Sequence, residues 1–132
     1  MKKSFTYAPK PFKKMPKGTK ELPVANAVYI PNTDKNGKKI SSKEFKKRIN
    51  ETELFLLNIF GGYTTDELEH GEFISKLKKK VISERIARVL SFSEVGKFKK
   101  HRVELEKWLI KKKKEWNQET IAYEFEGDLF YI

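Results

Sequence analysis

Apolar residues recur along this chain at two spacings, and the switches between them mark its elements. Val24 to Ile30 is a short run of β-branched and small apolar residues closed by Pro31, which reads as a buried strand. Asn32 to Gly37 is a polar turn cluster ending in Asn-Gly. A helix start follows. Ser41 as N-cap and Glu44 three residues later form a capping box, and Ile40 and Phe45 hold the hydrophobic-staple positions. Phe45, Ile49, Thr52, Leu56 and Phe60 then recur at helical spacing, widened by Phe55 and Ile59, until Gly61-Gly62 supplies a left-handed stop.

The pattern shortens after Tyr63. Phe73-Ile74 and Val81-Ile82 flank the polar stretch Ser75 to Lys80, consistent with two strands joined by a lysine-rich turn. Ile82, Ile86, Leu90 and Phe92 fall on one side of an extended chain, expected toward the helices, and Arg85, Ala87, Val89 and Ser91 on the other, expected on the open face of the sheet. Residues 80–92 also fit a helical period, but their β-branched content and the Ser-Phe-Ser ending favour a strand. A second helix begins near Ser93 or Glu94 and runs to about Asn117, with Phe98, His101, Leu105, Trp108, Leu109 and Trp116 as its stripe. Ile121, Tyr123 and Phe125 alternate with polar neighbours as a half-buried strand, and Gly127-Asp128 turns the chain into a final Leu-Phe-Tyr-Ile.

The order β-α-β-β-α-β predicts an α+β fold of ferredoxin-like type: a four-stranded antiparallel sheet with two helices on one face. Residues 24–132 form this single domain. Residues 1–23 hold four of the five prolines, seven Lys and one Glu, and read as an appended basic arm. The first strand is central in this topology, yet both its faces, Val24/Asn26/Val28/Ile30 and Ala25/Ala27/Tyr29, are largely apolar. Helices cover one; the arm or a second subunit is expected on the other, as in a homo-oligomer built through the sheet face.

Composition adds polarity to this outline. The net charge is +11, with 29 Lys and Arg against 18 Asp and Glu. Ten Phe, five Tyr and two Trp suffice for one core, and the absence of Cys excludes disulfides and thiolate chemistry. No apolar run reaches the roughly 20 residues that span a bilayer, and no secretion signal is seen, so a soluble cytoplasmic protein is expected. Two stretches run against the basic majority: Asp66 to Glu72, and Glu119 to Asp128.

Three short strings carry a resemblance: Ile59-Phe60-Gly61-Gly62-Tyr63-Thr64, Gly71-Glu72-Phe73, and Gln118-Glu119 leading into Tyr123-Glu124 and Gly127. Over roughly residues 26–132 the chain resembles a loose group of small, uncharacterised bacterial and phage-type α+β proteins. These share a Phe-Gly-Gly-x-Thr helix exit and a Gln-Glu start to the last strand. The resemblance implies the ferredoxin-like fold and transfers no activity or catalytic residue.

Candidate chemistry is sparse. Glu84 interrupts the apolar face of Ile82 and Ile86, and Glu119 sits where the second helix gives way to the last strand. A half-buried carboxylate needs a partner, with Arg85, Arg88 or Arg102 as candidates, or shifts its pKa upward as a general acid or base does. Tyr63 could line the same end of the sheet. His70 and Glu69, in the acidic stretch, are the candidates for a metal, without any recognised ligand spacing. His101 reads as a hydrogen-bonded core or boundary histidine. No cofactor fingerprint occurs, and none is expected.

Charge decides the functional expectation. Lys43, Lys46, Lys47 and Arg48 on the first helix, Lys97, Lys100, Lys111 and Lys114 on the second, and Lys13 and Lys14 on the arm form one field able to track phosphates. The leading expectation is a non-enzymatic binder of polyanions, such as nucleic acid, with low sequence specificity, because Lys outnumbers Arg and lacks the guanidinium fork. The alternative is an oligomeric enzyme or sequestering protein for a small anionic metabolite or nucleotide. Its site would lie between subunits and use Glu84, Glu119 and Tyr63. An inhibitor of an acidic protein is a third reading.

Overall fold

β-branched and small apolar residues favour the extended pleat, and Val24–Pro31 forms strand β1 with Val24, Ala27, Val28 and Ile30 wholly buried. The computed structural model describes residues 14–75 and 80–132, apart from the side chains of residues 68–75 and 80–84. Helix α1 (Ser42–Phe60) starts where its cap predicts: Ser41 Oγ accepts from the Glu44 N–H at 3.0 Å. It stops at Gly61, whose φ of 89° is one that few other residues adopt. The Glu44 carboxylate accepts from Arg48 Nε at 2.9 Å.

Strands β2 (Thr64–Ser75) and β3 (Lys80–Ser93) form a long antiparallel pair, so residues 80–92 are strand. The acidic stretch from Asp66 to Glu72 lies within β2, whose register shifts between Leu68 and Gly71. Helix α2 (Val95–Glu115) leads to β4 (Ala122–Phe125). Glu126 and Gly127 then adopt φ of 51° and 84°, the left-handed pair that reverses a twisted strand in two residues. The chain returns as β5 (Asp128–Tyr131), paired with β4 from Phe125↔Asp128 to Ala122↔Tyr131. The result is an α+β fold with a five-stranded antiparallel sheet ordered β2-β3-β1-β4-β5. The expected four strands are corrected to five, because the tight turn gives the last residues an edge to pair with.

Both helices pack on one face of the sheet. Val24, Val28 and Ile30 of β1, Ala87 and Val89 of β3 and Tyr123 of β4 meet Phe45, Leu56, Phe60, Phe98, Leu105 and Leu109 there. The faces of β3 are opposite to expectation. Ala87, Val89, Ser91 and Ser93 lie under the helices, while Arg88, Leu90 and Phe92 face the open side. Small side chains permit close approach of the helices; Phe92 in their place would hold them off. Rings fill the wider gaps, with Phe55 stacked on Trp108 at 4.4 Å and Trp108 edge-on to Trp116 at 5.9 Å. Among the described residues no helix is long and apolar enough to cross a membrane.

Tyr123 carries its hydroxyl into this core without a hydrogen-bond partner among the described residues, and burial pushes the phenol well above its ordinary pKa. Removing an unsatisfied buried hydroxyl costs little, so Tyr123→Phe should hold or raise stability by up to about 1 kcal/mol. Leu56→Ala, which hollows a fully buried site, should lose about 2–5 kcal/mol. Urea denaturation checks both, and a clear loss in Tyr123→Phe would show that the hydroxyl is bonded.

Candidate functional site

The antiparallel register fixes where the predicted site residues stand. Tyr63 directly precedes Thr64, which pairs with Leu90, and Ser91 Oγ donates to the Gly62 carbonyl at 2.7 Å. This places Tyr63 level with Asn26, the cross-strand partner of Ser91. Glu119 precedes β4, in which Tyr123 pairs with Val28, and therefore lies near the other end of β1. Gln118 Nε2 donates to the Thr33 carbonyl at 2.6 Å, fixing that end. About six residues of β1 separate the two levels, or roughly 20 Å at 3.3 Å per residue. Glu84 pairs with Gly71 two positions beyond Ile86, whose partner is Pro31, so its backbone stands at the Glu119 end. The Glu84 side chain lies outside the described residues. One chain thus groups Glu84 with Glu119 and keeps Tyr63 apart, against the expectation that all three line one end.

Tyr63 does border a groove. Lys20 and Leu22 before β1, Gly61 and Gly62 at the α1 exit, Leu90 and Phe92 of β3, and Glu94 and Lys97 around the α2 start enclose about 420 Å³ with it. Lys20 Nζ reaches Glu94 Oε1 at 2.9 Å and holds that carboxyl below its usual range. Glu94 is the N-cap of α2 but makes no side-chain cap bond.

A second cluster escaped the sequence reading. On the open face, Tyr29, Arg88 and Glu124 project from three adjacent strands. The Tyr29 hydroxyl donates to Glu124 Oε1 at 2.6 Å, and Arg88 forks onto both Glu124 oxygens at 3.0 and 3.1 Å. These bonds, Arg88 first, hold the Glu124 carboxyl below its ordinary value, and the Arg88 guanidinium is raised in return. Burial, then donation to Glu124, raises the Tyr29 phenol. Arg88 was a candidate partner for Glu84 or Glu119; its partner is Glu124, and Arg85 faces Glu67 at 3.9 Å. The available signal was an ionic residue in the middle of a strand, where burial demands a partner.

The basic surface is less continuous than its sequence suggests. Arg48 is buried, donating to Glu44 and to the Trp116 carbonyl at 3.3 Å, with its guanidinium over the Trp116 ring. Lys47 and Lys111 each face a glutamate one helical turn away, at 3.9 and 4.0 Å. Lys43 and Lys46 share a shallow depression with Lys47, Glu51 and Leu54. Lys14, Lys97, Lys100 and Lys114 are exposed. Lys13 lies outside the described residues, as do the side chains of His70 and Glu69. Among the described residues no group of three metal-ligating side chains occurs. His101 sits at the boundary, with Nδ1 3.3 Å from Glu104 and its ring edge-on to Phe60.

No family model matches the chain, and no curated protein matches it. Two solved structures share its fold. A phage SAM lyase in complex with S-methyl-5'-thioadenosine superposes with a TM-score of 0.62 at 9% identity, over 83% of this chain and 88% of that one. A phage SAM lyase in its apo state gives 0.56 at 13% identity, over 83% and 87%. The expectation of a non-enzymatic polyanion binder is corrected on this finding, since the solved structures that share the fold are of an enzyme, one of them in complex with S-methyl-5'-thioadenosine. The basic field is also smaller than the sequence suggests: Arg48 is buried, and Lys47 and Lys111 each face a neighbouring carboxylate.

The open-face cluster carries a pH signature. Because the Glu124 pKa is depressed on folding, its stabilisation is complete above the unfolded carboxylate value and is lost as pH falls through the folded one. Glu124→Gln should cost about 1–3 kcal/mol at neutral pH and flatten the loss of stability on acidification. Thermal unfolding of both forms across the acid range measures this; parallel curves would contradict it.

Proposed function

We propose that this chain is an enzyme acting on an adenosyl sulfonium compound of the S-adenosylmethionine type, at sites assembled between copies of itself. The observation that carries the reading is the likeness to the SAM lyase over nearly the whole of both chains. The strand order β2-β3-β1-β4 suits a ferredoxin-like unit, with β5 as an added edge strand and residues 1–23 as an appended arm.

The chemistry asks little of the protein beyond placement. A sulfonium is already a good leaving group: as an oxygen of the substrate's own carboxylate bonds to the γ-carbon, the C–S bond to that carbon breaks and sulfur keeps the electron pair, giving a neutral thioether nucleoside and an amino-lactone with no water consumed. Positioning a cationic substrate calls for carboxylates, because opposite charge is favoured strongly where water is excluded. Glu119 and Glu84, grouped at one end of the sheet, are assigned this role. Tyr63 is assigned to the same site as a hydrogen-bonding group. Since one chain holds Tyr63 roughly 20 Å from Glu119 along the strands, the constellation is completed by a second copy, packed through the open sheet face. That face presents Leu129 and Tyr131 to solvent.

Purified protein should convert S-adenosylmethionine to S-methyl-5'-thioadenosine, and Tyr63→Phe and Glu119→Gln should each reduce the rate at least about tenfold. Chromatographic product analysis measures this. Because the two residues come from different copies, co-expressing the two variants should restore about a quarter of the sites by random assembly. A wild-type protein that neither binds nor converts the sulfonium would overturn the reading, and a lack of rescue would overturn the shared site.

A further inference from the structure

We infer that the groove at the α1 exit is the subsite for the purine ring, with Tyr63 and Phe92 as its flat walls. The inference rests on the reading of an adenosyl ligand and says where its base goes. The groove's volume of about 420 Å³ falls in the roughly 300–1,000 Å³ range of small-molecule pockets. Its chemistry suits an uncharged aromatic ring. Tyr63, Phe92, Leu22 and Leu90 supply apolar surface, and the Lys20 ammonium is engaged by Glu94 at 2.9 Å.

The walls are held by the fold. Tyr63 follows the left-handed Gly61, and the Ser91 Oγ bond to the Gly62 carbonyl pins that loop to β3 one residue from Phe92. The Lys20–Glu94 pair draws the segment before β1 against the start of α2, making Leu22 a third side. Tyr63 is 42% and Phe92 46% exposed, so both keep ring surface for a ligand. Stacking on such rings tolerates any base, so specificity falls to the polar residues of the lining, Lys97, Glu94 and Thr64.

Titration calorimetry with S-methyl-5'-thioadenosine and with adenosine tests this. Phe92→Ala should weaken both roughly 5- to 150-fold, the effect of removing one stacking ring, and Phe92→Trp should retain affinity. Since Phe92 is half exposed, its truncation leaves the core intact, and Leu22→Asp gives a second variant outside the sheet. Full affinity in Phe92→Ala and Leu22→Asp, with wild type binding the thioadenosine, would overturn the purine assignment and leave the proposed enzyme standing. No binding by the wild type would overturn both.

Discussion

β1 has hydrogen-bonded neighbours on both edges and apolar residues on both faces, while the helices cover only one. That constraint organises the protein. On the helical side it forces small residues onto β3, so that Ala87, Val89 and Ser91 lie beneath the helices. On the other side Ala27 is wholly buried even without a covering layer, screened by larger neighbours such as Tyr29, Arg88 and Glu124. An ion pair there is tolerated because each charge is matched by fixed partners. Leu129 and Tyr131 extend apolar surface around it, and this is the surface the proposed assembly covers.

The local elements were legible because local chemistry specifies them. Ser41 and Gly61 bound the first helix in the structure as in the sequence. The fifth strand was harder to see, since a four-residue segment is a strand only by virtue of the edge beside it; the left-handed pair at Glu126 and Gly127 creates that edge. The facing of β3 was misread because alternation shows that two faces exist without showing which meets the helices. Large apolar residues suggested the core side, whereas close helix–sheet contact required small ones.

Candidate site residues divide in the same way. Tyr63, singled out by its place at a helix exit, borders a groove. Its separation from Glu119 follows from strand register, a long-range property that no local motif carries. Arg48 looked like part of a basic face at helical spacing, yet the same spacing puts it beside Glu44 and over Trp116. The net charge drew attention to the majority sign. For the proposed sulfonium substrate the informative residues are the acidic minority, one part of which lies at Glu119 and the C-terminal strands.

The central claim is that the site is completed between copies of the chain. Native mass spectrometry with and without S-methyl-5'-thioadenosine tests it most directly. The account predicts a closed homo-oligomer that takes up one ligand per interface. A monomer that binds the ligand fully would contradict it, as would an assembly that binds none.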